Sequence, residues 1–331
     1  MEELKDFKNE LEQKIIDASK VIIVPHDGLD FDALAASIGL ALIAKKYKKQ
    51  YYIVVNDPIY YKIDYGVRLI LNEVRTDYTI INYEKYTSLR DEKDLFILTD
   101  VNKTDKISLK EEVDNNKNNI VIIDHHNLGN NSVEADIKLI DATASSASEI
   151  ITKLLNLWKI KIEANVANYL LSGIRLDTNK FGRNVTQETM RIVTKLLENG
   201  ADMNIINEWF DKDFDSEKRV LELVSKAKLH NYTVAVIMAE DGIEYTDQEL
   251  ARAADKLLMR GINASYVIGD VGNGLIAVKA RSKQDVNVGE VMEELNGGGN
   301  PYSAATKIED SSIEEVGKQL IKVIKPPHYL K

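Results

Sequence analysis

Short apolar runs alternate with amphipathic stretches along the first half of the chain. Residues 3–19 place apolar side chains on one face of a predicted helix. Leu34, Ile38 and Leu42 recur every fourth residue and predict a second helix that ends near Lys49. The apolar runs that predict buried strands lie at 21–24, 51–55, 95–99, 120–123 and 137–140. Strands that alternate with helices are typical of a parallel sheet covered on both faces.

The pattern changes in the second half of the chain. Helical patterns cover 143–157 and 164–175, and residues 186–229 are largely helical with a break at Asn199-Gly200. Beyond Tyr232, strands and helices alternate again. The predicted strands are 234–238, 264–270 and 275–281, and the predicted helices are 247–259, 286–295 and 312–324. Gly272-Asn273-Gly274 predicts a hairpin turn, and residues 296–301 predict a loop.

These elements predict an α/β protein with two domains, a division that the length of 331 residues also favours. The first is a parallel-sheet domain covered by helices, at 1–185. A helical linker follows at 186–231, and a smaller α/β C-terminal domain occupies 232–331.

The amino-acid composition and net charge of the chain exclude or disfavour several classes of function. The absence of cysteine excludes disulfides, thiolate zinc sites and cysteine nucleophiles. A net charge of −10 disfavours a partner such as long nucleic acid, but it allows a small anionic substrate. No stretch approaches the ~20 apolar residues of a membrane helix, and the Glu- and Lys-rich start is not a secretory signal. We therefore expect a cytoplasmic protein with no membrane segment in this chain.

Candidate ligands for metal follow the predicted strands of the first domain. Two of the five histidines of the chain are adjacent, directly after the strand at 120–123. Ligands bind beyond the carboxyl ends of the strands in open α/β sheets, and neighbouring strands lie about 5 Å apart. Acidic and imidazole side chains at several strand ends can therefore converge. The candidates are His26, Asp30, Asp32, Asp100, Asp124, His125, His126 and Asp177.

A group of carboxylates in a small volume needs a compensating cation, since mutual repulsion raises their pKa values. Carboxylate and imidazole ligands without thiolate suit Mn²⁺ best, with Mg²⁺, Zn²⁺ and Fe²⁺ as alternatives. Two such ions ~4 Å apart generate hydroxide near neutral pH and clamp both oxygens of a phosphoester displacement. Taken singly, each acid has a simpler explanation as a turn or helix-cap residue, and Asp32 is one such candidate cap.

Several stretches of the sequence resemble the DHH phosphoesterase family, and the resemblance covers nearly the whole chain, including a DHH-associated C-terminal domain. It is similar in particular to the catalytic module of bacterial cyclic-di-AMP phosphodiesterases. The carrying residues are His26-x3-Asp30-x-Asp32-Ala33-Leu34, Asp100, Asp124-His125-His126, Ala144-Ser145-Ser146-Ala147-Ser148-Glu149, Gly173 through Phe181, Ala280-Arg281-Ser282 and Gly297-Gly298-Gly299-Asn300 through Thr306.

The resemblance implies two Mn²⁺ ions in the first domain. His26 and Asp30 would hold one ion, and Asp32, His125 and Asp177 would hold the other, with Asp100 bridging. Asp124 would orient a ligand, and His126 would face the substrate phosphate or the leaving oxygen. Ser145, Ser146 and Ser148 would lie near the phosphate, and capping of a helix N-terminus is the alternative role for them.

In the second domain, the resemblance assigns substrate binding to Arg281, Gly297, Gly298, Gly299 and Asn300. Arg281 would donate charge-assisted hydrogen bonds to a phosphate, and the glycines would let backbone N–H groups approach it. The family pattern has histidine where this chain has Asn300, which puts the preferred nucleotide in doubt. Relatives with the regulatory architecture also carry histidine where this chain has Asn102.

The leading hypothesis is a Mn²⁺-dependent phosphodiesterase that hydrolyses cyclic-di-AMP to linear pApA, with AMP as a further product. The alternative is a nanoRNase or 3′-phosphoadenosine 5′-phosphate phosphatase that acts on linear dinucleotides and short oligonucleotides. A catalytically silent nucleotide sensor and a long-strand exonuclease rank lower. The expected partner is thus a cyclic or linear di-adenylate or a short oligonucleotide, and a homodimer is compatible with the resemblance.

Aromatic residues and the remaining histidines complete the candidates. Phe31, Tyr65 and Tyr302 are candidates to stack on adenine, although a place in the core is the commoner role for such residues. His230 and His328 lie in ligand spacing with nothing else in the sequence, so we expect no metal role for them.

Overall fold

The structure is a computed structural model, and it describes residues 2–56, 63–115, 119–129, 131–210, 214–231, 233–259, 261–283 and 286–324. The chain divides into two compact units, Met1–Asp211 and Lys212–Lys331. Each unit contains its own sheet and its own hydrophobic core.

A six-stranded parallel sheet forms the centre of the first unit. Its strands are β1 Val21–Pro25, β2 Tyr51–Val54, β3 Ile80–Ile81, β4 Leu95–Thr99, β5 Ile120–Asp124 and β6 Ile137–Ile140. They are arranged in the order β3-β2-β1-β4-β5-β6, and every pairing is parallel. The predicted parallel-sheet α/β fold is confirmed.

Helices cover both faces of this sheet. They are α1 Glu2–Asp17, α2 Phe31–Lys46, α3 Tyr65–Val74, α4 Tyr83–Thr87, α5 Lys110–Asn115, α6 Ala147–Leu157, α7 Ala164–Asp177, α8 Gln187–Glu198 and α9 Met203–Phe210. Alternate residues of each central strand enter separate cores, so that Ile23 and Ile97 face one core while Ile22 and Phe96 face the other. This burial on both sides explains why the strands are continuous apolar runs.

The strand order reverses between β1 and β4. The chain proceeds outward from β1 to β3, and then returns to place β4 on the other side of β1. Such a reversal leaves a crevice at the carboxyl ends of the two central strands, because the connections on its two sides run in opposite directions. His26 follows β1 and Asp100 follows β4, so both residues lie at this crevice.

The helices of the predicted linker, 186–231, are divided between the units. Helices α8 and α9 bury Leu196 and Trp209 in a core of the first unit. Helix α10, Phe214–Ser225, buries Val220 and Leu223 in the core of the second unit. The helical pattern that predicted a linker thus reflects apolar faces that pack onto two separate cores.

The second unit contains a mixed six-stranded sheet. Its strands are β7 Lys228–Asn231, β8 Val234–Met238, β9 Ala264–Asp270, β10 Leu275–Ser282, β11 Gly298–Asn300 and β12 Ser303–Glu309. The order is β11-β12-β10-β9-β8-β7, with β8 and β9 parallel and the other pairs antiparallel. The helices after α10 are α11 Asp247–Leu258, α12 Val288–Glu293 and α13 Ile313–Val323.

Two local expectations in this unit are wrong. Residues 228–231 form strand β7 and not the end of a helix, because they pair with β8. The predicted loop at 296–301 contains strand β11, whose residues pair with β12. The predicted turn at Gly272-Asn273-Gly274 does join β9 to β10, and all three residues have positive φ.

No helix in the described part of the chain is long and apolar enough to cross a bilayer.

Candidate metal and active site

The turn between β1 and α2 supplies His26 and Asp30. Asp30 is the N-cap of α2, and its Oδ1 accepts hydrogen bonds from the N–H groups of Asp32 (2.9 Å) and Ala33 (3.0 Å). Its other oxygen, Oδ2, lies 3.5 Å from Nε2 of His26. The sequence-based alternative that Asp32 caps this helix is therefore wrong, since Asp30 has that role.

Asp32 lies in the first turn of α2 and is fully buried. Its two carboxylate oxygens accept hydrogen bonds from the backbone N–H groups of Ala147 (2.7 Å) and Ser148 (2.8 Å). These N–H groups belong to the first turn of α6, where the helix dipole stabilises negative charge. The N-terminus of one helix thus fixes an acidic side chain of another.

Asp100 is the central acid of the group. It follows β4 with a positive φ of 59°, and its N–H donates to the carbonyl of Ile123 in β5 (3.0 Å). Asp100 Oδ2 lies 3.5 Å from His26 Nε2, and Oδ1 lies 3.4 Å from His125 Nε2. Asp177, the last residue of α7, places Oδ2 3.1 Å from the same His125 nitrogen.

Three overlapping groups of potential metal ligands result from this arrangement. In each group, one potential ligand atom per residue lies within 4.8 Å of all the others. The first is His26, Asp30 and Asp100, the second is Asp32, Asp100, His125 and Asp177, and the third is Asp100, Asp124, His125 and His126. The first two are called the ligand groups below. Asp100 belongs to all three, and the family resemblance implies a bridging role for it.

The charges of these groups are strongly coupled. Burial raises the pKa of Asp32 well above its usual value, and the neighbouring Asp100 and Asp177 raise it further. Burial also raises the pKa of Asp177. Burial opposes ionisation of His125, yet the carboxylates of Asp100 and Asp177 raise the pKa of this imidazole to about 11. Without a metal, protonated imidazoles therefore balance part of the negative charge.

The donor set suits a pair of divalent cations. Asp100 Oδ1 and His125 Nε2 are buried without a hydrogen-bond partner, although they lie 3.4 Å apart. A buried polar atom without a partner is costly in a folded protein. A cation ligated by both atoms would satisfy them. Oxygen and imidazole ligands without thiolate are the set expected for Mn²⁺ and related ions.

Asp124 and His126 form the third group together with Asp100 and His125, and His126 Nδ1 lies 3.7 Å from Asp100 Oδ1. Asp124 is fully buried, and its Oδ1 lies 2.8 Å from Nδ1 of His126. The His126 side chain is 58% exposed. Asn102 donates from Nδ2 to Asp124 Oδ2 at 2.7 Å.

The serines after β6 make local contacts at the start of α6. Ser146 is the N-cap of α6 and accepts from the N–H of Glu149, whereas Ser145 donates its hydroxyl to the Glu149 carboxylate at 2.7 Å. Both serines are buried. Of the two, Ser146 therefore has the capping role. The Ser148 hydroxyl is buried without a hydrogen-bond partner.

The second unit places its candidate substrate residues on and beside the β10–β12–β11 ladder. Arg281 Nε lies 3.2 Å from an oxygen of Asp255. Asn300 Oδ1 accepts from the backbone N–H groups of Tyr302 and Ser303, both at 2.9 Å, and so closes the turn between β11 and β12. Gly299 has a φ of 150°, and an added Cβ would lie 2.4 Å from Ala304 Cα.

The aromatic candidates differ in exposure. Phe31 is 2% exposed and stacks on Phe210 with ring centroids 4.3 Å apart, so it is a core residue. Tyr65 and Tyr302 are 40% and 50% exposed, respectively. His230 lies in β7 and not at a helix end. His328 lies outside the described residues.

Sequence reasoning missed the residues that support the ligands. Asn102 was noted only as a departure from the family pattern, and Glu149 only as part of a motif. Both are buried polar groups within the hydrogen-bond network around the site. Gly173 packs directly against Asp32, because an added Cβ would lie 2.6 Å from Asp32 Oδ1. Glu149 and Gly173 lie within the motif stretches, and Asn102 lies two residues after Asp100, which was the available signal.

Two family profiles match the chain. The DHH family, N-terminal domain, matches residues 20–174, and the DHHA1 domain matches residues 230–326. The first match contains β1 through β6 and the ligands His26, Asp30, Asp32, Asp100 and His125. Asp177 lies three residues beyond its end.

Curated relatives include two bacterial phosphodiesterases. The cyclic-di-AMP phosphodiesterase GdpP of Geobacillus thermodenitrificans is 30% identical over 322 residues, which cover 95% of this chain and 48% of the relative. The cyclic-di-AMP phosphodiesterase PdeA of Listeria monocytogenes is 30% identical over 325 residues, with the same shares covered. The chain thus spans about half the length of these relatives.

Solved structures share the fold. An exopolyphosphatase-related protein from Bacteroides fragilis is similar with a TM-score of 0.79 at 20% identity, over 96% of both chains. RecJ from Thermus thermophilus, solved in complex with Mn²⁺, is similar with a TM-score of 0.56 at 12% identity, over 96% of this chain and 54% of RecJ.

Proposed function

Because the chain belongs to the DHH family and joins the DHH N-terminal domain to a DHHA1 domain, we propose that it is a metal-dependent phosphodiesterase. We propose cyclic-di-AMP as its substrate and linear pApA as its product, with AMP from a second hydrolysis. The observation that carries the proposal is the convergence of four carboxylates and two imidazoles at the reversal point of the sheet. The cyclic-di-AMP phosphodiesterases among the relatives support the choice of substrate.

Two divalent cations fit the overlapping ligand groups. His26, Asp30 and Asp100 would hold one, and Asp32, Asp100, His125 and Asp177 would hold the other. The ligand chemistry favours Mn²⁺ over Mg²⁺, Zn²⁺ and Fe²⁺. When bound, such ions lower the pKa of a coordinated water and neutralise charge on phosphoryl oxygens.

His126 and Asp124 supply the proton chemistry in this proposal. Hydrolysis forms a bond between a water oxygen and phosphorus and breaks the bond from phosphorus to the ribose 3′ oxygen. The departing oxygen needs a proton, because an alkoxide is a poor leaving group. The His126 side chain is 58% exposed, and in this proposal its Nε2 delivers the proton while Asp124 holds the ring through Nδ1.

In the second unit, Arg281 and the segment around β11 are the proposed contacts for nucleotide. Arg281 is a donor suited to phosphate, and a bound phosphate would compete with Asp255 for its guanidinium. The close backbone packing at Gly297 and Gly299 leaves no room for side chains there. Asn300 uses its side-chain oxygen to close the β11–β12 turn, so only its amide nitrogen remains as a donor to a ligand.

A direct assay with purified protein tests the proposal. We expect hydrolysis of cyclic-di-AMP in Mn²⁺, loss of activity in chelator and recovery when Mn²⁺ is restored. Asp100→Asn removes the shared ligand and should lower kcat on the order of 10³-fold. Asp6→Asn makes the same chemical change at an exposed position of α1 and should leave activity unchanged.

Comparison of substrates decides between the two candidate activities. Faster turnover of pApA, short oligonucleotides or 3′-phosphoadenosine 5′-phosphate than of cyclic-di-AMP would replace the proposed substrate with the linear class. Asn300, at the position of the family histidine, is the feature that favours that second activity. Hydrolysis of none of these nucleotides in Mn²⁺ would contradict the proposed function altogether.

A further inference from the structure

Asn102 is a buried amide beside the proposed proton donor. It lies two residues after Asp100 and is 2% exposed. Its Nδ2 donates to Asp124 Oδ2 at 2.7 Å and lies 3.3 Å from the carbonyl oxygen of His126. One amide group thus contacts both the carboxylate that holds the His126 ring and the main chain of His126.

The two oxygens of Asp124 have unequal sets of donors. Oδ1 accepts from the backbone N–H groups of His125 (2.8 Å) and His126 (3.2 Å) and pairs with His126 Nδ1 (2.8 Å). In the described part of the chain, Asn102 is the one hydrogen-bond donor to Oδ2. The Asn102 contact therefore restrains the Asp124 carboxylate from the side opposite the His126 ring, together with the contacts to Oδ1.

The orientation of the Asn102 amide is itself determined by its neighbours. Its Oδ1 accepts from the Ser132 hydroxyl at 3.3 Å, and the Ser132 oxygen accepts from the N–H of Gly129 at 2.9 Å. The amide nitrogen consequently faces Asp124 and the amide oxygen faces Ser132. A chain of hydrogen bonds runs from the loop after β5, through Ser132 and Asn102, to Asp124 and His126.

We propose that Asn102 is a positioning residue for His126. It acts through Asp124, which holds the His126 ring so that Nε2 faces the leaving oxygen of the substrate. The inference rests on the proposed phosphodiesterase function. Asn102 does not contact the substrate in this account. Without its donor, a fully buried carboxylate oxygen loses its hydrogen bond, and the carboxylate rotates away from the arrangement that holds the ring.

Substrates with different leaving groups distinguish a positioning role of Asn102 from a merely structural role. A ribose oxygen must be protonated as it departs, whereas p-nitrophenolate departs as a stable anion without a proton. Loss of His126 positioning should therefore slow hydrolysis of a nucleotide diester and spare a p-nitrophenyl phosphodiester. General damage to the fold or to the ligand groups would slow both reactions.

The test uses the full chain loaded with Mn²⁺, with cyclic-di-AMP and bis(p-nitrophenyl) phosphate as substrates. Asn102→Asp is isosteric and replaces the donor with an acceptor, and Asn102→Ala removes the amide. We expect kcat for the dinucleotide to fall about 10²-fold in both variants, with kcat for the p-nitrophenyl ester within about threefold of wild type. Asn204→Asp, at an exposed position of α9, is the matched control and should change neither rate.

Three further measurements test the proposal. Ser132→Ala removes the group that orients the amide, so it should cause a smaller loss of the same leaving-group-dependent kind. His126→Ala should add little to the loss in Asn102→Ala, because both changes remove the same proton transfer. Mn²⁺ affinity, measured by electron paramagnetic resonance, should remain within about threefold of wild type in the Asn102 variants.

The outcomes that overturn the inference are distinct from failure of the proposed function. Equal losses on both substrates, additive losses in the double variant, or a parallel loss of Mn²⁺ affinity would each show that Asn102 does not act through His126. A wild-type protein that hydrolyses neither substrate would instead overturn the phosphodiesterase function, and this inference with it.

Discussion

The ionisable side chains of the ligand groups shift one another's pKa values. The carboxylates of Asp100 and Asp177 hold the pKa of His125 at about 11, and Asp30 and Asp100 raise the pKa of His26 well above its usual value despite burial. The same imidazoles keep the pKa of Asp100 well below the usual value, although burial opposes this. Protons on the two histidines therefore take the place of cations when no metal is bound.

Metal binding should release protons, and the affinity for Mn²⁺ should rise with pH. Each ligating imidazole must give up its proton, and the pKa of His125 near 11 means that this proton is present throughout the neutral range. Because the bound state carries fewer protons than the free state, higher pH favours binding. Calorimetric titration with Mn²⁺ at pH 7 in buffers of different ionisation enthalpy measures the number released, and we expect at least about one per site.

The outcome that contradicts this expectation is specific. A binding enthalpy that does not change with the buffer, together with an affinity that is flat between about pH 6 and 8, would show that the imidazoles are already neutral. Asp6→Asn supplies the control, since an exposed acid on α1 should leave the proton count unchanged.

The sequence indicated the convergence of the candidate ligands better than the contacts around them. The polar residues His26, Asp100 and His125 follow apolar strands, and the chain direction places them at one edge of a parallel sheet. The positive φ of Asp100 and the contact between Asn102 and Asp124 depend on how two loops meet in space. No local pattern records such a contact.

At the scale of elements, three helices meet around Asp32. The N-terminus of α6 donates to both of its oxygens, and α7 approaches closely because residue 173 is glycine. An added Cβ at Gly173 would lie 2.3 Å from Ser148 Oγ and 2.6 Å from Asp32 Oδ1. The spacing of these helices is therefore tied to the position of Asp32, a proposed metal ligand.

Gly173→Ala should weaken both stability and metal binding. The new methyl group must push α7 away from Asp32 and Ser148, which we expect to cost about 1–3 kcal/mol of stability. Displacement of the Asp32 carboxylate should also lower Mn²⁺ affinity about tenfold or more. Thermal unfolding of the metal-free protein measures the first effect, and titration with Mn²⁺ measures the second.

Gly39→Ala is a matched control for this change. An added Cβ at Gly39 in α2 would lie 2.3 Å from Ile151 Cγ2, so it creates a similar clash between two helices but touches no ligand. We expect it to lower thermal stability and to leave Mn²⁺ affinity nearly unchanged. Equal losses of affinity in both variants would mean that Gly173 affects the metal only through general loosening of the fold.

Elements that the sequence analysis missed have weak hydrophobic patterns. Strand β3 has two residues, and β7 is Lys-Leu-His-Asn, so neither has the apolar alternation that predicts a strand. Strand β12 alternates in burial, but it does so with alanine and threonine at its buried positions. Pairing with neighbouring strands, a non-local interaction, determines the structure of these segments.

At the scale of the whole molecule, the metal ligands and the second sheet belong to different compact units. All residues of the two overlapping ligand groups lie within Met1–Asp211. The cationic side chains Lys279 and Lys307 of the second unit pair with Asp247 at 2.5 and 2.8 Å, and Arg281 pairs with Asp255. Metal chemistry and the proposed phosphate contacts of Arg281 are thus assigned to separate parts of the chain.

Mn²⁺ alone should therefore protect the first unit from hydrogen exchange and leave the second unit unchanged. A ligand that binds only the folded state adds about 2.7 kcal/mol at a concentration 100-fold above its Kd. We expect slower exchange in peptides that cover β1, β4, β5 and the end of α7, measured by mass spectrometry with and without Mn²⁺. Peptides that cover β9 and β10 should exchange at the same rate in both conditions, because they contain no ligand of either group.

Nucleotide should extend the protection to the second unit. Addition of pApA together with Mn²⁺ should slow exchange around Arg281 and β11, and Arg281→Ala should abolish that second effect while the Mn²⁺ effect on the first unit remains. Asp100→Asn should remove the Mn²⁺ effect, since it removes the ligand that both groups share. Slower exchange in β9 and β10 with Mn²⁺ alone would contradict this division. It would show that Mn²⁺ affects the second unit, although β9 and β10 contain no residue of either ligand group.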